Sequence, residues 1–201
     1  MLAGNWELEP CSFTAVSGLA HALEIDEVTA SVLVRRGYAD PEAARVFLAG
    51  ALPEHDPFAL GDMREAVAVL TTAIDAGARI CVHGDYDADG ICATALAVLL
   101  LRELGADVAW HLPSRFEEGY GLNADTLTRL ADEGFDLVLT VDCGITAVAE
   151  VEHARSLGLE VIVTDHHRPA EAFPACPVVA PLKGDYPFAG LCGTGVVWKL
   201  A

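Results

Sequence analysis

Arg79-Ile80-Cys81-Val82-His83-Gly84-Asp85-Tyr86-Asp87-Ala88-Asp89-Gly90 is the stretch that decides the fold. An apolar run ends at Val82, a turn rich in carboxylates and bracketed by glycines follows, and Ile91 to Leu104 is then almost wholly apolar at helix length. Strand, polar turn and buried helix in that order make the first half of a βαβ unit. The motif recurs along the chain. Leu137–Val141 ends in Asp142-Cys143-Gly144, and Val161–Thr164 ends in Asp165-His166-His167, so apolar strands run three times into groups that can bind a metal.

A further apolar run, Val108–Leu112, leads to Pro113-Ser114-Arg115 and Gly119-Tyr120-Gly121. Helix-length segments separate the runs: Asn123 caps Ala124–Ala131, and Thr146 is expected to cap Ala147–Leu157. The fold class is therefore α/β, a parallel sheet with helices on both faces. In such sheets binding groups gather beyond the carboxyl ends of the strands, near a reversal of strand order. With the Val108 strand at the periphery, in the order 2-1-3-4, the other three become neighbours and their polar ends converge.

The first 76 residues read as a small helical N-terminal region and residues 77–201 as the α/β domain. Asp26 opens one helix that ends near Arg35-Arg36-Gly37, and Asp40-Pro41-Glu42 opens another. Pro53 to Gly61 is a connector, and Met63, Ala66, Val67 and Leu70 lie on one face of a further helix. Near the end of the chain Thr194 is expected to cap a helix starting at Gly195, which stops after about two turns. The chain reads as the front part of a longer protein.

Composition narrows the function. No run approaches the roughly 20 apolar residues of a membrane span, so a cytoplasmic protein with no membrane partner is expected. The six cysteines, Cys143 among them, form no Cys-x-x-Cys pair and read as small buried hydrophobes with no chemistry assigned. A net charge of -18 argues against a protein that coats nucleic acid, which needs a basic surface. It leaves room for a nuclease, whose carboxylates are neutralised by divalent cations and whose basic groove is local or lies in another domain. Only Lys183 and Lys199 are lysines among the 12 basic residues, so a grip on phosphate falls mainly to arginine.

His83, Asp87 and Asp89 have the spacing H-x-x-x-D-x-D, which on a turn after a strand lets an imidazole and two carboxylates face one centre. Mixed nitrogen and oxygen donors favour manganese, magnesium or iron over metals selected by thiolates. With Asp142 and His166 there are donors for two cations sharing a carboxylate, Asp89 or Asp142, at a separation of about 3.5–4 Å. The acidic turn is not an EF-hand, because no glutamate closes a twelve-residue loop of that pattern.

Five segments together carry a family resemblance: HGDYDADG at residues 83–90, PSR at 113–115 with GYGL at 119–122, VDCGI at 141–145, Asp165-His166-His167, and LCGTGVVWKL at 191–200. From about Val34 onward the chain resembles the DHH phosphoesterase family, and within it the exonucleases specific for single-stranded DNA. The resemblance implies that His83, Asp87, Asp89, Asp142 and His166 hold two Mn2+ or Mg2+ ions. It implies that His167 faces the scissile phosphate, as its ligand or as the acid that protonates the departing oxygen, with Asp165 behind it in the catalytic machinery. Asp85 supports the ligands from outside, and Arg115 binds a substrate phosphate in two hydrogen bonds.

The implied activity is 5′ to 3′ digestion of single-stranded DNA in repair and recombination, alongside a helicase and a single-strand-binding protein. Two alternatives stay open: a family member acting on short oligonucleotides or cyclic dinucleotides, and a scaffold that keeps the fold without hydrolysis. The family pattern also includes a metal-binding aspartate downstream of residue 201, so weakened metal binding and little processive digestion are expected of this chain by itself.

Overall fold

The computed structural model describes residues 10–51 and 54–201; Pro53, read above as the start of the connector, lies outside the described residues. The chain divides into two compact units, Met1–Glu54 and His55–Ala201.

The first unit contains α1 (Phe13–Leu23), α2 (Glu27–Arg35) and α3 (Pro41–Leu48). Ser12, Asp26 and Asp40 stand at the N-caps, each side chain accepting a backbone N–H from three residues on, and Pro41 occupies the first turn of α3. Val16, Leu19, Ala20, Ala30, Leu33 and Ala44 form its core.

The second unit opens with a 3-10 turn, Pro57–Ala59, and α4 (Met63–Asp75). There follow β1 (Arg79–His83), α5 (Ala88–Glu103), β2 (Asp107–His111), α6 (Ala124–Asp132), β3 (Leu137–Val141), α7 (Val148–Ser156), β4 (Glu160–Thr164), β5 (Val178–Val179) and α8 (Gly193–Leu200). The sheet has five strands in the order β2-β1-β3-β4-β5, all neighbours parallel. Strand parity sorts the apolar residues onto two faces. Ile80, Val82, Leu137, Leu139, Val141 and Ile162 join α4, α5 and α8 in one core. Cys81, Val138, Val161 and Val163 join α6 and α7 in the other. The expected α/β sheet, covered on both faces, is the fold.

Three local expectations are corrected, and one strand is added. The helix after β1 is not wholly buried: Ile91, Leu99 and Leu104 are exposed, because β2 is an edge strand and leaves that flank of α5 open. Thr146 does not cap α7, whose N-cap is Ala147 with no side-chain hydrogen bond. Thr194 does not cap α8 either; Cys192 holds that position and Thr194 lies inside the first turn. Finally, β5 had no signal, since a pair of valines between prolines is too short for a periodicity to register.

The unit boundary also falls earlier than the expected division between residues 76 and 77. Leu60, Met63, Ala66 and Leu70 are buried in the same core as the sheet, so α4 belongs with β1. The N-terminus of α4 also closes the outer edge of β5. Asp62 donates its N–H to Val178 O at 3.0 Å and accepts Val178 N–H at 2.9 Å, and the Lys183 ammonium pairs with the same carboxylate. A Cβ at Gly61 would overlap Val178 O, which explains the glycine there. Among the described residues no helix is long and apolar enough to cross a membrane.

A piece comprising residues 55–201 is predicted to unfold cooperatively on heating, followed by circular dichroism. A piece comprising residues 77–201, stripped of Leu60, Met63, Ala66 and Leu70, is predicted to lose that cooperative transition. Equal melting of the two would contradict the earlier boundary.

Candidate metal centre

The parallel register sets the ends of β1, β3 and β4 side by side, with His83 beside Thr140 and Val141 beside Thr164. After β1 the chain turns sharply. Gly84 donates its N–H to His111 O at 3.0 Å, and a Cβ on it would overlap the Thr94 hydroxyl. A Cβ on Gly90 would lie 2.5 Å from Asp85 Cβ, so both glycines of this motif are steric requirements. Asp87 then caps α5, accepting Gly90 N–H at 2.9 Å, and Asp89 stands in the first turn.

Asp142 follows β3 with φ of 62°, the left-handed region, and donates its N–H to Thr164 O at 3.0 Å. A side chain held there costs about 1–3 kcal/mol and persists where its surroundings fix it. Here Thr140 Oγ1 donates to Cys143 O at 2.8 Å and Thr164 Oγ1 donates to Thr140 O at 2.8 Å, tying the two strand ends together. The strain turns the Asp142 carboxylate toward the other strand ends.

Two sets of donor atoms lie within 4.8 Å of one another, Asp142 with His166 and His167, and Asp85 with Asp87 and Asp142. Asp142 belongs to both. His166 Nε2 is 3.1 Å from Asp142 Oδ1 and 3.7 Å from Asp89 Oδ2. His83 is in neither set, but its ring is fully buried and its Nε2 has no hydrogen-bond partner. Asp142 Oδ1, on a side chain 1% exposed, also has none: the approach of His166 is close in distance without hydrogen-bond geometry.

The electrostatics agree with that bareness. Burial first, and then the neighbouring Asp89, push the Asp142 carboxyl up to about 7. Burial and then His111 push His83 down to about 4, leaving a neutral imidazole. Two like charges about 5 Å apart repel by about 3 kcal/mol at an effective dielectric of about 20. Buried donors left bare beside crowded carboxylates are unfavourable for a protein alone and suited to a divalent cation. The oxygen and imidazole donor set fits Mn2+ or Mg2+ better than a metal selected by thiolates.

Asp165 is the opposite case. Buried and saturated, it accepts Ile145 N–H at 2.9 Å, His166 N–H at 2.7 Å, His167 N–H at 3.1 Å and the His167 ring at 2.7 Å. A carboxylate only accepts, so His167 Nδ1 carries the proton and Nε2 is left for the open side of the site. Burial alone would lower the pKa of His167, but the bond to Asp165 and the surrounding carboxylates raise it overall. Tyr120 Oη lies 3.3 Å from the same Nδ1. Arg115 lays its guanidinium 4.4 Å over the Tyr86 ring, and Tyr86 meets Tyr120 edge-on at 6.4 Å. The ion pairs of the described residues include none for Arg115.

Sequence reasoning missed several residues of this neighbourhood. His111 lies in register with His83 and its ring centroid is 5.2 Å away. Glu118 accepts from His111 at 2.9 Å, Ser114 N–H at 2.9 Å and Thr126 Oγ1 at 2.9 Å, ordering the loop that carries Arg115. The Cys143 sulfur lies 3.8 Å from His83 Nδ1, its thiol kept neutral by burial. Gly193 packs so closely on Asp142 that a Cβ would overlap Oδ1. The register of His83 with His111 was accessible once β1 and β2 were paired; the Gly193 contact, 51 residues from Asp142 in sequence, had no local signal.

The family described as the DHH family, N-terminal domain, matches residues 79–201. The single-stranded-DNA-specific exonuclease RecJ of Bacillus subtilis is 40% identical over 207 residues, spanning 100% of this chain and 26% of the relative. That of Thermus thermophilus is 51% identical over 122 residues, 61% of this chain and 18% of the relative. The chain thus spans about a quarter of the Bacillus relative's length. Among solved structures, RecJ in complex with Mn2+ from Thermus thermophilus has 36% identity and a TM-score of 0.69, over 96% of this chain and 27% of that one. A second, exonuclease RecJ bound to manganese, has 45% identity and a TM-score of 0.68, over 74% of this chain and 38% of that one.

Asp165→Ala is predicted to lower stability by about 1–3 kcal/mol, because buried N–H groups lose their acceptor. It should also let the His167 ring exchange tautomers. Denaturant titration and 15N shifts of the imidazole check the two effects; an unchanged His167 tautomer would contradict the assigned role of Asp165.

Proposed function

Because the chain belongs to the DHH family, we propose that it carries the N-terminal catalytic part of a RecJ-type exonuclease, hydrolysing single-stranded DNA from 5′ to 3′ with Mn2+ or Mg2+. The observation that carries the hydrolytic reading is the two buried, unpartnered donors, His83 Nε2 and Asp142 Oδ1, the latter beside His166. The identity to RecJ across the whole chain supports the choice of substrate.

In this reading His83, Asp87, Asp89, Asp142 and His166 would hold the cations, Asp142 being common to both donor sets. Bound there, divalent cations supply Lewis-acid polarisation of a phosphoryl oxygen and activation of water for in-line attack. The protein's own groups do the rest. His167, with its Nδ1 proton committed to Asp165, presents Nε2 to the phosphodiester and, as the imidazolium, gives the Nε2 proton to the departing oxygen. Asp85, which accepts Tyr86 N–H at 2.7 Å, borders the cation set from its own turn.

Arg115, with its guanidinium carbon 4.4 Å from the Tyr86 ring centre, offers two N–H donors to a backbone phosphate while the ring beneath limits the rotamers it must lose. Selectivity for single strands follows if bases must unstack to bring a phosphate to this centre, with aromatic rings as alternative stacking partners. The same reading places the protein in the cytoplasm, in DNA repair and recombination, with a helicase and a single-strand-binding protein as partners. Residues 55–201 form the hydrolytic unit and the N-terminal helices an accessory one.

In the full-length protein, Asp142→Ala is predicted to lower Mn2+-dependent release of nucleotides from a labelled single strand by about 10²–10³-fold, the scale for losing one charge-stabilising group. Chelation should abolish release, and a duplex of the same sequence should be resistant. Faster cleavage of a dinucleotide than of the long strand would move the protein to the small-substrate members of the family. Metal binding with no hydrolysis of either would make it a scaffold.

A further inference from the structure

Asp89 is held differently from the carboxylate it faces. Gly193 N–H donates to its Oδ2 at 2.7 Å, and Thr194 donates twice to Oδ1, from its backbone N–H at 2.8 Å and from its hydroxyl at 2.6 Å. These donors sit in the first turn of α8, where the helix dipole is positive. Burial would raise the Asp89 pKa, but the Thr194 hydroxyl, the two backbone N–H groups and the Cys192 thiol lower it overall.

A carboxylate offers about four lone-pair sites, two on each oxygen. Thr194 fills both sites on Oδ1 and Gly193 one on Oδ2; the nearby Cys192 thiol, a weak donor, makes no bond of comparable geometry, which leaves the second lone pair of Oδ2. That is the oxygen 3.7 Å from His166 Nε2. Asp89 and Gly193 are 104 residues apart along the chain, so this clamp is made by the fold and not by local sequence.

We propose that Thr194 is a positioning residue: with Gly193 it occupies Oδ1 and half of Oδ2, so that Asp89 presents a single oxygen toward His166 and binds a divalent cation through that oxygen alone. This rests on the cation reading given above and deepens it. Asp142, on which Gly193 also packs, receives no such donors, so one helix start locks the orientation of Asp89 while leaving its neighbour bare. Removing the hydroxyl frees a lone pair on Oδ1 and one axis of rotation. The carboxylate then reaches the cation with a mixture of orientations and a higher ordering cost.

The test uses this chain as it stands, with Mn2+ binding followed by the electron paramagnetic resonance of the free ion. Thr194→Val, which keeps the side-chain volume, is expected to weaken Mn2+ binding about 10–100-fold, as is usual for groups that orient ligands. Thr194→Ser is expected to restore it to within a few-fold. Melting temperatures in chelator that follow the hydroxyl less than affinity does would separate positioning from a merely structural role.

If the valine variant fails to fold, Mg2+ titration of the unmodified chain decides. The amide resonances of Gly193 and Thr194 must move as the ion binds, and amides that stay fixed while Mg2+ is bound overturn the proposal. Equal Mn2+ affinity of the valine variant and the unmodified chain overturns the role of Thr194 and leaves the cation reading intact. Absence of Mn2+ binding to both the unmodified chain and the full-length protein overturns both.

Discussion

The convergence of buried carboxylates at one end of a parallel sheet is the constraint on which the rest of the second unit depends. Asp142, Asp165 and Asp85 are each at most 3% exposed, with Asp87 and Asp89 beside them. Isolated buried charges of this kind are strongly unfavourable, and a protein keeps them only by giving each a counter-partner. The elements around the centre read as the means of doing so. The turn after β1, the left-handed Asp142, the start of α8 and the tie between Thr164 and Thr140 each fix one of these groups.

The partners fall into two classes. Asp165 is saturated with N–H donors and Asp89 is held by N–H and O–H donors at all but one site, which stabilises their charge without any ion and makes them rigid. His83 Nε2 and Asp142 Oδ1 are bare, and their protonation is shifted toward the neutral forms by burial. A site divided in this way keeps its shape when empty and gains when a cation arrives, because the rigid members already stand in place. His167 belongs to the rigid class through Asp165 while keeping one nitrogen open to the solvent side.

Much of the fold was legible in the sequence, because strands buried on both faces read as continuous apolar runs ending in abrupt polar turns. The runs before His83, Asp142 and Asp165 marked three strands and their polar ends, and the order followed only on the condition that the Val108 strand is peripheral, which the structure meets. What stayed hidden has physical causes. The membership of α4 in the sheet's core depends on side chains such as Met63 meeting residues far along the chain. The exposure of Ile91 and Leu99 follows from β2 being an edge, which hydropathy alone does not reveal. Thr194 carried a residue type suited to capping, and only the fold shows its hydroxyl turned to Asp89 instead. The adjacent histidines were legible as a pair of imidazoles at a strand end, but only the fold shows that Asp165 accepts the ring of His167 and the backbone N–H of His166.

The bare nitrogen of His83 and the ring of His166 are both assigned to divalent cations held beside Asp142. Electron–nuclear double resonance on the Mn2+-loaded protein, with histidine labelled with 15N, tests this assignment most directly. Coupling to two imidazole nitrogens is expected, one lost in His83→Asn and the other in His166→Asn. Bound Mn2+ without imidazole coupling would contradict it.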